Sequence, residues 1–408
     1  MLLNKLLLGV LLFAQGVSSL VLQGTPYYNF SNGCTGLVNL GLPAFLCKQE
    51  SHNGDLYVLS SLTHQVLKLS EDENSNVGCE VYATLPYTTS NSNGVNLGAS
   101  FSLGMTVDPS GNVYVSNTGT GPFNGDYGSV WKILVDNVAQ PVKIFTATSP
   151  FGLPSGLAVD WRNTNILISS ETDGTIYWSS LDGNTNGVWA SASNPLYAML
   201  GGTSGVPGFG GTIDNTNLFG APFGPVASSI STSGNTLYVG SADRGLVCAI
   251  TINQDGSAGD IHIVGSSPQH TIEGMYYDSA RKIVYFGSVF RNGTNLTPDS
   301  LSGEYQGGVR AGNSLWYADL QTGESHRFYD DRLGSVCSVN TAKGILHQGQ
   351  KKLFVVSSGF NSFPGWPLGL VRLNSVRAPY PSSGVNGSTT GPALADGYNG
   401  NLWIVDLE

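Results

Sequence analysis

Glu273 is the residue whose chemistry is easiest to define, because it follows His270 by three positions and directly precedes Gly274. A carboxylate in an apolar surrounding has its pKa raised by desolvation, which suits a general acid or base near neutral pH. Lys343 is its candidate partner, since a neighbouring ammonium group would keep the carboxylate ionised. We therefore predict catalytic roles for Glu273 and Lys343. The alternative is a structural ion pair or a solvated rim residue.

Candidate ligand contacts come from residues that surround this carboxylate or lie in long inserts. Ser155 and His270 supply polar groups, and Phe223 and Trp366 supply aromatic surface. The inserts span residues 117–127, 191–225, 289–312 and 359–367, and aromatic side chains of this kind suit a small organic ligand. The alternative is a set of loops that pack down as a lid without a ligand.

Other catalytic motifs are absent from the sequence. It contains no G-x-S-x-G elbow, no H-E-x-x-H and no phosphate-binding G-x-x-x-x-G-K-[ST], and its six histidines show no metal spacing. Hydrolysis by a serine triad is therefore unsupported. Glu171, Asp173, Asp243 and Arg244 in tight turns could build a cation site, although charged turn tips are ordinarily solvated.

A repeated strand–turn–strand unit must position these residues. Its clearest copy is GMTVDPSGNVYVS at 104–116, with further copies at 156–170, 274–288 and 344–358 and weaker ones at 47–60 and 228–241. Chain for two more strands separates successive copies. The pattern predicts an all-β, six-bladed β-propeller with four-stranded blades over residues 20–408, in one domain. A two-domain chain that breaks within 201–225 is the alternative.

The segment GLAVDWRNTNILISSETDGTIYWSSLDG at 156–183 resembles YWTD and NHL propeller repeats. The whole array is similar to the senescence-marker/gluconolactonase-like superfamily of six-bladed propellers, which includes lactonases, paraoxonases and strictosidine synthase-like proteins. Low charge and Ser/Asn/Gly richness are also similar to secreted fungal members of this group. The resemblance implies a lactone or ester hydrolase-like activity.

The resemblance also implies a ring of oxygen ligands for a divalent cation at the start of the inner strands. The residues that we align with this ring are Leu46, Leu103, Ser155, Ala227, Glu273 and Lys343. Calcium needs six or more oxygen ligands, and this ring has one carboxylate. We therefore predict no metal site and no required cofactor, with calcium the cation to test.

Five cysteines allow at most two disulfides, with one thiol left over. We expect Cys34 to pair with Cys47 because they are close in sequence, although spacing does not fix connectivity. Acceptor sequons for N-glycosylation occur at Asn29, Asn292, Asn295 and Asn386.

The N-terminus and the overall charge restrict location and partners. Residues 1–19 combine Lys5 with an apolar run and small residues near the end, which predicts a signal peptide and a secreted, extracellular protein without a membrane span. A net charge of −10 with no basic patch argues against nucleic acid.

Two functions remain open. The first is a secreted propeller that binds a small organic molecule in its central pocket and hydrolyses a lactone or ester. The second is a non-catalytic extracellular interaction or virulence-associated protein that recognises its partner through the loop face. Glu273→Gln and trimming of residues 191–225 would separate the two.

Overall fold

The computed structural model describes residues 25–29, 34–36, 46–52, 55–60, 63–72, 76–86, 102–117, 128–147, 154–170, 174–200, 227–241, 246–266, 271–289, 314–328, 336–340, 352–357 and 401–406. These residues form 24 strands, β1 to β24. Some have side chains that are buried along the whole strand, as in Val113–Asn117, and others alternate in exposure, as at the start of Asn137–Thr146. Both patterns are typical of β-strands, in which β-branched and aromatic residues are enriched.

Five antiparallel sheets each use four consecutive strands. Sheet 1 contains β2 (Leu46–His52), β3 (Asp55–Ser60), β4 (Gln65–Glu71) and β5 (Val77–Thr84). Sheet 2 contains β6 (Ser102–Val107), β7 (Val113–Asn117), β8 (Ser129–Leu134) and β9 (Asn137–Thr146). Sheet 3 contains β10 (Pro154–Val159), β11 (Asn165–Ser170), β12 (Thr175–Ser180) and β13 (Asn186–Ser191). Sheet 4 contains β14 (Ala227–Ser233), β15 (Thr236–Ser241), β16 (Leu246–Ile252) and β17 (Ala258–Ser266). Sheet 5 contains β18 (Thr271–Asp278), β19 (Ile283–Val289), β20 (Ser314–Asp319) and β21 (Ser325–Phe328).

One further sheet, sheet 6, joins the two ends of the chain. Its strand order is β22 (Val336–Asn340), β23 (Lys352–Ser357), β24 (Asn401–Asp406) and then β1 (Thr25–Asn29). The C-terminal strand therefore lies inside the sheet, and the N-terminal strand lies at its outer edge.

The first strands of neighbouring sheets contact each other in the order β2, β6, β10, β14, β18 and β22, and β22 contacts β2. This radial arrangement of antiparallel sheets is that of a β-propeller, and the predicted all-β propeller class is confirmed.

The core lies between the faces of neighbouring sheets. Leu59, Met105 and Val115 are buried between sheets 1 and 2. Between sheets 3 and 4, one cluster joins Leu167 and Ile176 to Leu237 and Ile250. These two pairs precede and follow the Gly- and Pro-rich stretch 201–225 in the sequence. A 3₁₀ segment, Pro195–Leu200, adds to this cluster. Burial of such side chains stabilises the fold by roughly 1.5–3 kcal/mol each.

The repeat prediction is correct for five copies and wrong for the first strand of the sixth. Copies at 47–60, 104–116, 156–170, 228–241 and 274–288 coincide with the first two strands of sheets 1 to 5. In sheet 6 the first strand is β22, at 336–340, and a connection at 341–351 separates it from β23. Lys343 therefore lies outside the first strand and outside the described residues.

The predicted disulfide is also wrong. Cys34 pairs with Cys79 on β5, with 4.8 Å between their Cα atoms. The chain around Cys34 runs beside this outer strand, where the Thr35 N–H donates to Cys79 O at 3.0 Å and the Val81 N–H donates to Thr35 O at 2.9 Å. Sequence proximity favoured Cys47, but the strap at residues 34–36 joins the outer edge of sheet 1 instead of its first strand.

Candidate functional site

A collar of uncharged polar residues lies at one end of all the sheets. It comprises, in each sheet, the residue at or next to the end of the second strand, the first residue of the third strand and the last residue of the fourth. From the second strands these are Ser60, Asn117, Ser170, Ser241, Ser288 and Ser357. From the third strands they are Gln65, Ser129, Thr175, Leu246, Ser314 and Asn401, and from the fourth strands they are Thr84, Thr146, Ser191, Ser266, Phe328 and Asn29.

Only Leu246 and Phe328 among these eighteen positions are apolar, and none is charged. The opposite end of the sheets differs, because the turns there hold buried aspartates such as Asp108, Asp160 and Asp278. Each of these carboxylates accepts backbone N–H groups of its own turn, as Asp108 does from Ser110 and Asn112. The collar positions are therefore mostly polar and all uncharged, whereas the connections that follow them in sequence contain Glu171, Asp173, Asp243 and Arg244.

The four inserts singled out in the sequence all connect strands at the collar end. Residues 117–127, 289–312 and 359–367 lie between second and third strands, and residues 191–225 lie between β13 and β14. The 3₁₀ segment Pro195–Leu200, near the start of the insert at 191–225, packs into the core. Tyr197 is buried there, and its hydroxyl donates to Gly259 O at 2.9 Å. The remainder, 201–225, lies outside the described residues.

Each first strand has a β-bulge beside the collar. Pairing between first and second strands shifts after Leu46, Ser102, Pro154, Ala227, Ile272 and Val336. The first residues inside these bulges are Cys47, Leu103, Ser155, Ser228, Glu273 and Cys337. The ring predicted from the repeats differs from these positions at Leu46 and Ala227, which precede the bulges, whereas Lys343 lies outside the described residues. Bulges often occur next to functional sites because they redirect a side chain.

The backbones of the neighbouring first strands β6 and β10 touch at their bulges. A Cβ atom on Gly104 would lie 1.7 Å from the carbonyl oxygen of Ser155, so only glycine fits there. The Ser116 hydroxyl fills the gap: it accepts the Gly104 N–H at 2.7 Å and donates to Ser155 O at 2.7 Å. Ser155 itself is buried at this contact. Gly104, the first residue of the clearest repeat copy, therefore lies where two first strands approach closely.

A buried cluster of His64, Ser102 and Asn117 joins sheets 1 and 2 at the collar. His64 Nδ1 lies 3.1 Å from Ser102 Oγ and 3.3 Å from Asn117 Nδ2, and Asn117 Nδ2 also donates to Ser102 Oγ at 3.3 Å. His64 adopts the left-handed backbone conformation, with φ of 54°, which a non-glycine residue seldom adopts.

Geometry and burial together keep this imidazole neutral. An amide N–H can only donate, so the Asn117 contact requires an acceptor at Nδ1. Burial lowers the pKa of His64 from 6.5 to about 4, because the charged form loses its hydration. The cluster therefore presents hydroxyl, amide and neutral imidazole groups, like the rest of the collar.

Several residues predicted for the site lie outside the described part of the chain: His270, Phe223, Trp366, Lys343, and the sequons at Asn292, Asn295 and Asn386. Glu273 lies in β18 and Asn29 ends β1. The structure thus places Ser155 and Glu273 at equivalent bulges of sheets 3 and 5, whereas the His64 cluster was not predicted. Its signal was weak, because its members are 38 and 53 residues apart.

The donor set at the bulges does not fit a calcium site. Among the six bulge residues only Glu273 carries a carboxylate, whereas calcium prefers several carboxylate or carbonyl oxygens. Within the described ranges, no group of three or more His, Cys, Asp or Glu residues could hold a metal ion. In the same part of the chain, no helix has the length and apolar character to cross a membrane.

Neither protein-family models nor curated protein sequences match the chain. Solved structures resemble it in fold alone. A luciferin-regenerating enzyme is 10% identical with a TM-score of 0.49, over 90% of this chain and 92% of that one. The PQQ-bound aldose sugar dehydrogenase of Streptomyces coelicolor is 13% identical with a TM-score of 0.49, over 95% and 98%. The major Malassezia sympodialis allergen Mala s 1 is 11% identical with a TM-score of 0.48, over 91% and 94%.

Proposed function

We propose that this protein binds a small, uncharged organic molecule at the collar end of the propeller. The observation that carries the proposal is the composition of the collar, in which sixteen of eighteen positions are Ser, Thr, Asn or Gln and none is charged. Several of these side chains, among them Gln65, Ser129 and Ser170, are buried, so the collar forms a neutral base at this end of the sheets. Its hydroxyl and amide groups are hydrogen-bonding groups that themselves supply no ionic partner for a carboxylate, phosphate or ammonium group. The neutral His64 cluster extends the same chemistry into the interior.

Hydrolysis of a lactone or ester is the reaction that we propose for this site. Both substrates are uncharged, and hydrolysis yields a carboxylate for which the eighteen collar positions themselves provide no cation. Glu273 is the candidate general base or acid, because it is the one carboxylate at a bulge of the first strands. Ser155, at the equivalent bulge of sheet 3, is the candidate polar contact, and His270, Phe223 and Trp366 remain proposed ligand contacts.

Matched pairs of a lactone and its open hydroxy acid test the binding proposal. We expect the lactone to bind, by calorimetry or by a shift in Tm, and the anionic acid to bind at least about tenfold more weakly, a difference of about 1.4 kcal/mol. A preference for the anion would contradict the proposal. Turnover of the same lactones, and of aryl esters, tests catalysis separately.

Glu273→Gln tests the catalytic role. We expect about a 10²- to 10⁴-fold loss of rate with ligand binding retained, because the amide keeps the shape of the carboxylate but cannot transfer a proton. Full activity with an unchanged pH profile would remove Glu273 from the mechanism even if hydrolysis occurs. Added calcium should shift Tm little, since the bulge residues do not form its ligand set.

A non-catalytic interaction protein is the second candidate, favoured by the single carboxylate at the bulges. In that case Glu273→Gln has no effect, whereas replacing residues 201–225 by a short Gly/Ser linker abolishes partner binding. The replacement leaves Pro195–Leu200 in place because that segment packs into the core. A linker replacing residues 118–127 alone serves as the control for loop loss in general.

We further propose that the six sheets are six blades of one ring spanning residues 20–408, and that residues 1–19 direct secretion. The continuous contacts of the first strands support the ring, and the Cys34–Cys79 disulfide fits an oxidising compartment. N-terminal sequencing of secreted protein tests the cleavage after residue 19, and glycosidase treatment tests the sequons at Asn29, Asn292, Asn295 and Asn386.

A further inference from the structure

Cys47 and Cys337 occupy equivalent places on two neighbouring first strands. Cys47 is the extra residue of the bulge in β2, between the paired residues Leu46 and Lys48. Cys337 is the extra residue of the bulge in β22, between Val336 and Ser338. Each is therefore the second residue of its strand, counted from the collar end.

The two strands lie side by side at the junction of the first and last sheets. β2 contacts both β22 and β23, and these contacts close the circle of first strands. At the junction of β6 and β10, the bulge residues Gly104 and Ser155 are in backbone contact. A disulfide needs Cα atoms about 4.4–6.8 Å apart, a spacing that such close backbones provide.

We propose that Cys47 and Cys337 form a second disulfide, which covalently closes the ring at the mouth of its central channel. The pairing accounts for the cysteine composition: Cys34 and Cys79 already form a bond, and Cys248 is buried in the core of sheet 4. One residue of the five, Cys248, then remains as a thiol.

The bond forms by exchange with a small-molecule disulfide such as oxidised glutathione. One cysteine thiolate attacks the glutathione disulfide and releases one glutathione thiol, and the second cysteine thiolate displaces the other. The protein loses two hydrogen atoms as one S–S bond forms, and the glutathione disulfide is reduced to two thiols. The existing Cys34–Cys79 bond shows that the fold is compatible with such oxidation.

Peptide mapping of the full chain without reduction tests the proposal. Trypsin leaves Cys34 and Cys47 in one peptide because no Lys or Arg lies between them, so chymotrypsin, which cleaves after Phe45, is needed. We expect a linked pair of peptides containing Cys47 and Cys337. Alkylation of either residue without reduction, or linkage of either to another cysteine, would overturn the proposal.

Thiol counting on the unfolded, unreduced chain gives an independent measure. We expect one thiol in the wild type and three if the bond is absent. Cys47→Ser and Cys337→Ser should each raise the count to two, whereas Cys248→Ser should lower it to zero. The wild-type count decides the proposal even if a variant fails to fold.

Discussion

At the residue scale, His64 shows how a neutral imidazole joins two sheets. Its Nδ1 accepts from groups on sheet 2, while its main chain adopts a left-handed conformation and its C=O accepts the Leu85 N–H at 2.9 Å. Sequence motifs identify histidines by the spacing of metal ligands, and His64 belongs to no such motif. Its role depends on contacts between residues distant in sequence, so only the structure identifies it.

Acid should destabilise the protein through His64. Above pH 6.5 the side chain is neutral in both states and contributes nothing to the pH dependence. As the pH falls from 6.5 towards about 4, the unfolded chain binds a proton that the folded chain does not, so the free energy of unfolding decreases by about 3 kcal/mol in total.

His64→Asn should remove this pH dependence. Asparagine tolerates the left-handed conformation and does not titrate. Urea unfolding at pH 7 and pH 4.5 measures how much the free energy of unfolding falls with pH in each protein. An equal fall in the wild type and in His64→Asn would contradict this role of His64. Asp160 does not obscure it, because hydrogen bonds hold its pKa below 3.8, and its stabilisation is lost at still lower pH.

Gly104→Ala should destabilise the fold by about 1–3 kcal/mol or more, because the new methyl group would overlap the carbonyl of Ser155. Gly78→Ala is the matched control, since a Cβ there lies 3.8 Å from Ser70 O and requires no movement. Thermal unfolding of both variants measures the contrast. Equal Tm values would show that β6 and β10 are not packed this closely.

At the element scale, the repeat predicts the first two strands of five sheets because each copy holds a short polar turn between two β-rich runs. The copy at 344–358 fails at its first strand, because the strand that pairs with β23 is β22 at 336–340, and residues 344–351 lie outside the described residues. The bulges also escape prediction, since the position of the one extra residue in each first strand depends on its pairing with the second strand. Ser155 and Glu273 each precede a repeat glycine directly and lie at the bulges of β10 and β18, and their roles in ligand binding and catalysis stay predictions.

The strap at residues 34–36 depends on a covalent bond to β5. Losing the Cys34–Cys79 disulfide, which joins residues 45 apart, should cost about 4 kcal/mol in the chain-entropy model. We expect Cys34→Ser and Cys79→Ser to lower stability equally, and the double variant to add nothing further.

Hydrogen exchange localises the effect of the strap. The Val81 amide donates to Thr35 O, so its exchange should accelerate in both variants, whereas the Asp160 amide, which donates to Asn165 O in sheet 3, should keep its protection. Unchanged protection of Val81 would show that the strap stays on β5 without the bond. Additional loss of stability in the double variant would indicate that one single variant keeps a different linkage.

At the scale of the whole molecule, the two ends of the propeller differ in chemistry. Turn aspartates at one end satisfy their own backbones, while the collar end carries uncharged polar residues and receives the four long inserts. The shared end of these inserts follows from the strand order, because connections after even-numbered strands of an up-and-down antiparallel sheet lie at the same end. The collar could not be identified from the sequence, because its definition needs the exact strand ends, which sequence patterns place only within a few residues.

The order of strands in sheet 6 makes the two chain ends unequal. β24 lies between β23 and β1, so removal of residues 401–408 takes away the partner of β1 as well. Removal of the chain through Asn29 takes away β1 alone and exposes the edge of β24. We therefore expect the C-terminal truncation to lower Tm more than the N-terminal one, although β1 and β24 have similar lengths.

A variant lacking only Leu407 and Glu408 is the control and should unfold like the wild type, since β24 ends at Asp406. Equal Tm losses for the two truncations would mean that β1 does not depend on β24 for its place in the sheet.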